Sequence, residues 1–301
     1  MRRHLAKFVL SVVLTSTAVA SAQPIPVPLE EWRTAYETSL KAEYGWLSVA
    51  GLSFLEPGAN TVGSLAGSDV LLPAGHAPLE VGRVVLREGE ATLVLRPGVE
   101  ASVGDVPVVH AVRLNPEQDQ AAPRVRVGKV EFHLHRSGER LGIRVRDPQS
   151  PLRTGFTGAR WFDARAGYVV VGTLRRSVEP RDVPVHNVVG DVETYASPGV
   201  LTFEIDGRAL ELVPFAAARD RLWLIFRDAS AGRETYGTRF LYAEPLGGDR
   251  YRVDFNRAYN PPCAYNPHTT CPTPLRENIL PVAIQAGERL YEASSPLTAR
   301  R

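Results

Sequence analysis

The chain has 301 residues, of which 44% are apolar, and its formal net charge is +2. This apolar fraction is ordinary for a globular protein, and the length suffices for one large or two small hydrophobic cores. A protein whose main partner is nucleic acid carries a clustered excess of Lys and Arg that neutralises phosphates. The near balance of 35 basic and 33 acidic residues therefore argues against nucleic acid as a partner.

The N-terminus has the pattern of a signal peptide. Basic residues open the chain, an apolar run covers residues 8–20, and small residues that suit a signal peptidase follow. The run is shorter than the roughly 18 residues that a membrane-spanning helix needs, and no later segment is longer. We therefore expect residues 1–22 to be removed during export. The mature chain would have no transmembrane segment and would reside in the periplasm or outside the cell.

A single amphipathic helix is predicted near the start of the mature chain. Leu29, Trp32, Tyr36 and Leu40 recur at spacings of three and four residues, which places them on one stripe of a helix over about 29–43. We interpret it as a helix that covers the end of a β-core.

From Gly45 onward the chain consists of short apolar runs separated by turn residues, which is typical of β-strands. Asp206-Gly207 between two alternating segments is the strongest hairpin signal. Three further strands are predicted at 168–173, 183–189 and 279–285. The fold class is therefore mainly β: an antiparallel β-sandwich or partly closed barrel with the N-terminal helix packed on it.

One candidate domain boundary is visible, the Pro- and Gly-rich stretch 147–158. A long loop within one sheet system explains it equally well. We predict a single β-rich domain over residues 23–301, with two lobes that divide near 148–158 as the alternative.

Cys263 and Cys271 are the two cysteines of the chain. In an exported protein, two cysteines this close in sequence favour a disulfide, which would contribute about 2–3 kcal/mol by closing a short loop. The alternative is a metal site with His268, but the cysteine spacing lacks a zinc signature. We expect a disulfide and no metal or cofactor.

Polar and aromatic residues accompany these cysteines in the 254–274 segment. Asp254 and Asn256 share one face of a predicted strand end, and Arg257, Tyr259 and Asn260 follow. This succession predicts the wall of a ligand site. The alternatives are a buried hydrogen-bond network that holds the loop backbone and a rigid loop that closes the end of a barrel.

A second polar loop, residues 228–239, also offers candidate site residues. Asp228, Glu234, Tyr236 and Arg239 would supply acid, base or binding groups. Turns are polar by default, however, so a solvated loop is the alternative.

Charged residues also close a predicted hairpin that turns at Ser137-Gly138-Glu139. Arg144 and Arg146 share one strand face beside Asp147, where a carboxylate or phosphate ligand would be bound bidentately. An ion-paired or solvated face is the alternative. His133 and His135 share a face of the preceding strand, and because the residues between them are apolar and point inward, we expect both histidines to face water.

Motifs for common catalytic sites do not occur in the sequence. There is no Gly-x-Ser-x-Gly elbow, His-Glu-x-x-His motif, Walker loop or Gly-x-Gly-x-x-Gly fingerprint. No nucleophile is identified, although triads are defined by geometry rather than by sequence order.

Four stretches together resemble a known family. Gly45 to Asn60, Gly142 to Asp147, Glu234 to Phe240, and Asp254 to Cys263 with Cys271-Pro272 are similar to the bacterial domain of unknown function 1684, over about residues 30–291. The resemblance implies no established activity. It implies that the 254–274 segment is the defining element of the family, with these companions: Arg144, Asp147, Tyr236 and Arg239.

The leading hypothesis is an exported protein that binds a small, anionic molecule in a pocket walled by residues 254–265. The first alternative is a cofactor-free hydrolase, in which Asp254 or Glu234 acts as base and Arg239 or Arg257 stabilises an oxyanion. The second is a structural envelope protein. The sequence makes no prediction of the oligomeric state.

Overall fold

The computed structural model describes residues 28–116 and 124–291, so the predicted signal peptide lies outside the described residues. Helix α1 spans Leu29–Lys41, which confirms the predicted N-terminal helix. It ends two residues earlier than predicted. Helix α2, Pro151–Thr154, is a single turn. No helix in the described ranges is long and apolar enough to cross a membrane. The 3₁₀ turns are Trp46–Ser48, Ala166–Tyr168, Ala218–Asp220, Phe255–Arg257, Pro262–Ala264 and Arg276–Asn278.

The first half of the described chain forms two sheets, with strands numbered in chain order. The six-stranded sheet has the order β1-β11-β10-β9-β6-β7 and the five-stranded sheet the order β3-β2-β4-β5-β8. The strands of the six-stranded sheet are β1 Val49–Phe54, β6 Ser102–Val103, β7 Val106–Pro107, β9 Val125–Val127, β10 Val130–Ser137 and β11 Arg140–Arg146. Those of the five-stranded sheet are β2 Gly58–Gly63, β3 Val70–Leu71, β4 Gly82–Arg87, β5 Glu90–Leu95 and β8 Ala111–Leu114.

These two sheets form a sandwich around one apolar core. Val84 and Leu93 of the five-stranded sheet pack in the same buried cluster as Phe132, Leu134 and Ile143 of the six-stranded sheet. Alternation along a strand places every second side chain on the inner face, which accounts for the apolar spacing read from the sequence. The predicted sandwich is confirmed for this half of the chain, and its strand pairs are antiparallel except β2 with β3, which is parallel.

The second half forms a seven-stranded sheet with the order β14-β13-β12-β18-β17-β16-β15. The sheet is not a closed barrel, because its two edge strands β14 and β15 are not hydrogen-bonded neighbours. It has its own core, which includes Leu201, Leu224 and Val253. The strands are β12 Val169–His186, β13 Val192–Ile205, β14 Arg208–Leu212, β15 Phe215–Ala216, β16 Leu222–Phe226, β17 Arg239–Gly247 and β18 Arg250–Asp254.

The hairpin predicted at Asp206-Gly207 is present, whereas three of the predicted strands differ from expectation. Asp206 and Gly207 have φ angles of 50° and 73°, as the predicted two-residue turn requires. The strands expected at 168–173 and 183–189 are parts of one strand, β12, whose pairing shifts at its middle. The strand predicted at 279–285 was wrong: the segment makes isolated backbone contacts such as Leu280 N to Arg227 O at 2.8 Å.

Polar contacts join the two halves. Asn266 of the 254–274 segment donates its side-chain amide to Val49 O at 2.7 Å, and Asn187 donates to Ser137 Oγ at 2.8 Å. The two large cores are drawn from residues 55–145 and 174–286 respectively. The division into lobes near 148–158 stays a prediction.

Candidate functional site

A cavity of about 590 Å³ lies where helix α1, strands β16 and β17, and the 254–274 segment meet. Ligand pockets in proteins have volumes of about 300–1,000 Å³ and mostly apolar walls with a few polar groups. Seven of this cavity's lining residues are aromatic. We call it the aromatic cavity.

Helix α1 supplies one wall of the aromatic cavity. Trp32, Tyr36 and Leu40 of the predicted apolar stripe line it, together with Ala35 and Ser39. The rings of Trp32 and Tyr36 stack at 5.8 Å, as expected for side chains one helical turn apart. The stripe that predicted packing on a β-core therefore also faces a cavity.

Strands β16 and β17 supply the opposite wall. Trp223 pairs with Tyr242 in the antiparallel register, and Arg221 and Phe240 lie two residues from this pair on the same face. The rings of Trp223 and Phe240 are 5.0 Å apart, and the Arg221 guanidinium lies 4.4 Å from the centroid of the Tyr242 ring. This face thus presents three rings and one cation to the cavity.

Tyr259 connects the two walls. Its backbone exchanges two hydrogen bonds of 2.9 Å with Phe240, which holds the 254–274 segment against β17. Its ring lies 5.2 Å from that of Tyr36 and 6.5 Å from that of Tyr242. Burial, together with the neighbouring Tyr242, raises the pKa of Tyr259 well above its ordinary value. The residue therefore acts as a neutral phenol in the cavity wall.

Thr269, Thr270 and Cys271 form a polar end of the cavity. Thr270 Oγ1 lies 3.2 Å from Arg144 Nη2 and 3.1 Å from His135 Nε2. Arg144 Nη2 also lies 2.9 Å from His135 Nε2. Because a guanidinium can only donate, His135 Nε2 and Thr270 Oγ1 both accept hydrogen bonds from Arg144. A buried positive charge therefore lies directly behind Thr270.

A buried carboxyl group supports the wall from behind. Glu288 Oε2 accepts a hydrogen bond of 2.7 Å from the backbone N–H of Asn260, and Oε1 contacts the Tyr265 hydroxyl. Burial raises the pKa of Glu288 to about 8, although the amide of Asn260 lowers it. The Tyr36 hydroxyl donates to Asn260 O at 3.0 Å, so this carboxyl is linked to two residues that line the cavity.

The two cysteines are free thiols in this structure, so the predicted disulfide is not observed. The backbone N–H of Cys263 donates to Cys271 Sγ at 3.2 Å. Interaction with Cys271, followed by burial, raises the pKa of the Cys263 thiol. Burial alone would raise the pKa of Cys271, but hydrogen bonds with Cys263 and Thr269 and the charge of Arg144 outweigh it and lower this pKa.

Two of the predicted binding residues, Tyr259 and Asn260, line the aromatic cavity. Among the others, Arg144 lies behind Thr270, whereas Arg239 is fully buried and donates to Asp228 Oδ2 at 2.9 Å and to Ile284 O at 3.0 Å. The predicted residues outside the lining are Arg144, Asp147, Tyr236, Arg239, Asp254, Asn256 and Arg257.

Asp254 belongs to a hydrogen-bond network of the kind considered as the alternative to a site wall. It accepts from the backbone N–H of Asn256 at 3.2 Å and from Arg252 Nη2 at 3.0 Å. Arg257 Nε lies 3.5 Å from the same carboxylate. Asn256 Nδ2 in turn donates to Arg165 O at 3.0 Å. Strand β18 ends at Asp254, which caps the following 3₁₀ turn instead of extending the strand.

The remaining candidates are also engaged. Asp147 Oδ2 lies 2.6 Å from His76 Nδ1, and the Tyr236 hydroxyl donates to Cys263 O at 3.3 Å. Glu234 accepts from Gln285 Nε2 at 2.9 Å. The acids and arginines of the hydrolase alternative thus hold structural partners, and none of them lines the aromatic cavity.

The predicted exposure of His133 and His135 was wrong, because both are buried. The outer face of the six-stranded sheet is covered by the 254–274 segment, whose Thr270 contacts His135. Within residues 28–116 and 124–291, no group of three His, Cys, Asp or Glu side chains could hold a metal ion.

Several lining residues were not recognised from the sequence as parts of a site. Trp32 and Tyr36 are predicted from the sequence to pack on a β-core, and no role is predicted for Trp223 and Tyr242. The available signal was the number of large aromatics: Trp residues number 4 in the whole chain, and Trp32, Trp46 and Trp223 all line the cavity.

The fold and the cavity together define a β-rich protein with an aromatic small-molecule-sized cavity between a helix and a sheet. Residues 154–289 match the family model described as "Protein of unknown function (DUF1684)", and the chain belongs to this family. The matched range includes the 254–274 segment but neither of the resembling stretches before residue 148.

A search of curated proteins finds no match. The solution NMR structure of an uncharacterised protein from Haloarcula marismortui aligns with 32% sequence identity over 48% of this chain and 80% of that chain, with a TM-score of 0.39.

Proposed function

We propose that the protein binds a small molecule with a flat apolar body and an anionic head group in the aromatic cavity. The observation that carries this proposal is the composition of the wall: seven large aromatic residues, with the hydroxyl groups of Thr269 and Thr270 at one end and the buried Arg144 guanidinium behind Thr270. Aromatic rings contribute large apolar contact areas at a low entropic cost. The walls thus favour a ring-like body, and the polar end orients it.

The charge of the ligand is inferred from the side chains around the cavity. Among the lining residues in the described part of the chain none is Asp or Glu, whereas Arg221 is part of the wall. Arg144 adds a second positive charge behind Thr270. In a poorly hydrated site, such charges favour an anion over its neutral isostere.

Naphthoate and its neutral amide are suitable probes, because they share one ring system and differ in charge. Titration followed by tryptophan fluorescence should show that naphthoate binds at least about tenfold more tightly than the amide, the difference expected for a charge-assisted hydrogen bond. Equal affinity for both probes, or no saturable change in fluorescence, would contradict the proposal.

Variants of lining residues test whether naphthoate binds in the aromatic cavity. Thr270→Val and Arg221→Gln should each weaken naphthoate binding about tenfold. Thr202→Val and Arg208→Gln are the controls, since Thr202 is half-buried and Arg208 exposed on the seven-stranded sheet, and both lie outside the lining. Affinity that is unchanged in the two cavity variants would place the probe elsewhere.

We also propose that the chain is exported and that Cys263 and Cys271 become bridged in an oxidising compartment. Support comes from the signal-peptide pattern of residues 1–22 and from the position of Cys271 Sγ, 3.2 Å from the backbone nitrogen of Cys263. N-terminal sequencing of protein recovered from the cell envelope tests the first point, and an intact mass lower by two hydrogens tests the second. A retained N-terminus or an unchanged mass would refute the respective point.

A further inference from the structure

Cys271 combines three features that no binding role for the cavity requires. Its side chain lines the aromatic cavity. Its Sγ accepts a hydrogen bond from the backbone N–H of Cys263 at 3.2 Å and lies 3.7 Å from Thr269 Oγ1. A second thiol, that of Cys263, interacts with it directly.

The surroundings stabilise a thiolate. A backbone N–H directed at a sulfur favours its charged form, as does a nearby guanidinium. Here these groups are the Cys263 amide, whose nitrogen lies 3.2 Å from Cys271 Sγ, and Arg144, and the pKa of Cys271 is lowered in spite of its burial. Cys263, by contrast, is not part of the cavity lining, and the pKa of its thiol is raised by the interaction with Cys271 and by burial.

Such a pair has the arrangement of an attacking and a resolving cysteine. Reactive cysteines carry thiolate character and stand next to a second cysteine that reacts with the oxidised sulfur. We infer that Cys271 is a nucleophilic site for hydroperoxides with an apolar organic group, and that Cys263 is its resolving cysteine. This inference rests on the proposed function only in that a small molecule must enter the aromatic cavity.

The reaction proceeds in two balanced steps. The Cys271 thiolate attacks the terminal oxygen of ROOH, the O–O bond breaks, and the proton of that oxygen completes ROH, which leaves the sulfenate of Cys271. The sulfenate is protonated, and the Cys263 thiol then attacks its sulfur, which forms the disulfide and releases water. The sulfur atoms lose two electrons and the peroxide gains them. The inference covers a single turnover from the reduced protein.

The aromatic residues that line the cavity indicate which class of hydroperoxide would bind there. The rings of Trp223, Phe240 and Tyr259 border the cavity that Cys271 also lines, so an aryl or alkyl group would pack there while the O–O bond lies at the Thr-Cys end. Hydrogen peroxide gains nothing from these rings. Cumene hydroperoxide, which carries one phenyl ring, is therefore the matched probe.

The test uses the full mature chain, reduced, with an equimolar amount of peroxide. In the Cys263→Ser variant, dimedone should trap a sulfenate on Cys271, located by peptide mass spectrometry, and the wild type should instead lose two hydrogens. With cumene hydroperoxide the native protein should react at least about tenfold faster than the same protein unfolded in urea. Cys271→Ser should form no adduct.

Three results would overturn the inference. They are a native rate no greater than the unfolded rate, trapping on Cys263 with none on Cys271, and reaction with hydrogen peroxide but not with cumene hydroperoxide. Circular dichroism of both serine variants excludes misfolding as the cause. Naphthoate titration of the same samples separates the two proposals, since loss of probe binding with an intact thiol reaction would refute only the proposed anion site.

Discussion

The ring of Tyr259 lies 5.2 Å from the ring of Tyr36, at an interplanar angle of 56°. This contact joins the 254–274 segment to helix α1, and the Tyr36 hydroxyl reinforces it by donating to the carbonyl of the next residue, Asn260, at 3.0 Å. Tyr259 of the 254–274 segment thus contacts both helix α1 and the seven-stranded sheet.

Tyr259→Ala should destabilise the protein by about 2–3 kcal/mol, since it removes a ring that packs against Tyr36, Phe240 and Tyr242. Tyr259→Phe keeps the ring and should cost less than about 1 kcal/mol. Urea unfolding of both variants is the measurement. Similar losses in the two variants would mean that the hydroxyl, and not the ring, connects the walls.

Glu288 should make stability depend on pH. Its pKa is about 8 in the folded protein against 4.5 as the ordinary value, so between these pH values the folded state binds more protons than the unfolded state. The contribution of Glu288 to the free energy of unfolding is therefore fully present below pH 4.5 and is lost as pH rises through about 8. The loss is at most about 1.4 kcal/mol per pH unit.

Glu288→Gln is the matched test of that pH dependence, because the amide oxygen can still accept from the Asn260 backbone N–H. The difference in unfolding free energy between wild type and variant should shift in favour of the variant as pH rises from 5 to 8.5, in the window that the Glu288 pKa defines. A difference that is constant with pH would show that Glu288 is ionised in the folded protein at neutral pH.

Arg239 should be essential for folding. Its side chain is fully buried and its two terminal nitrogens donate to Asp228 and to backbone carbonyls. Arg239→Met would leave Asp228 as an unpaired buried charge at a cost of about 3–5 kcal/mol. In Arg239→Met/Asp228→Leu, both charges are gone, and part of this loss should be recovered. Thermal unfolding of both variants tests this prediction. If Arg239→Met were stable but no longer bound naphthoate, a direct role of Arg239 in ligand binding would be favoured instead.

Asn266 should hold the two halves of the chain together. Its side-chain amide donates to Trp46 O at 3.1 Å and to Val49 O at 2.7 Å. Asn266→Asp cannot donate and places a carboxylate against two carbonyl oxygens, so it should cost more than Asn266→Ala, for which we expect about 1–3 kcal/mol. Hydrogen exchange at the amides of residues 46–49 would report local opening. Equal exchange in wild type and Asn266→Asp would rule out this role.

Local patterns were sufficient for most of the secondary structure. The stripe Leu29, Trp32, Tyr36, Leu40 predicted helix α1, because a 3.6-residue period can be read without knowing what the helix contacts. Asp206-Gly207 predicted a hairpin, because its positive φ angles are a property of the turn itself. The strand expected at 279–285 failed, because Pro281 lacks the N–H that a ladder needs and the neighbouring backbone pairs with Arg227 instead.

The sequence by itself therefore determined the β-rich class, the N-terminal helix and the main hairpins. Only the tertiary structure decided that Tyr259 faces Tyr36, that Arg144 stands behind Thr270, and that His133 and His135 are buried. These are contacts between residues far apart in sequence. Alternation along a strand tells which side chains share a face, but which segment covers that face depends on how the sheets and the loop pack together.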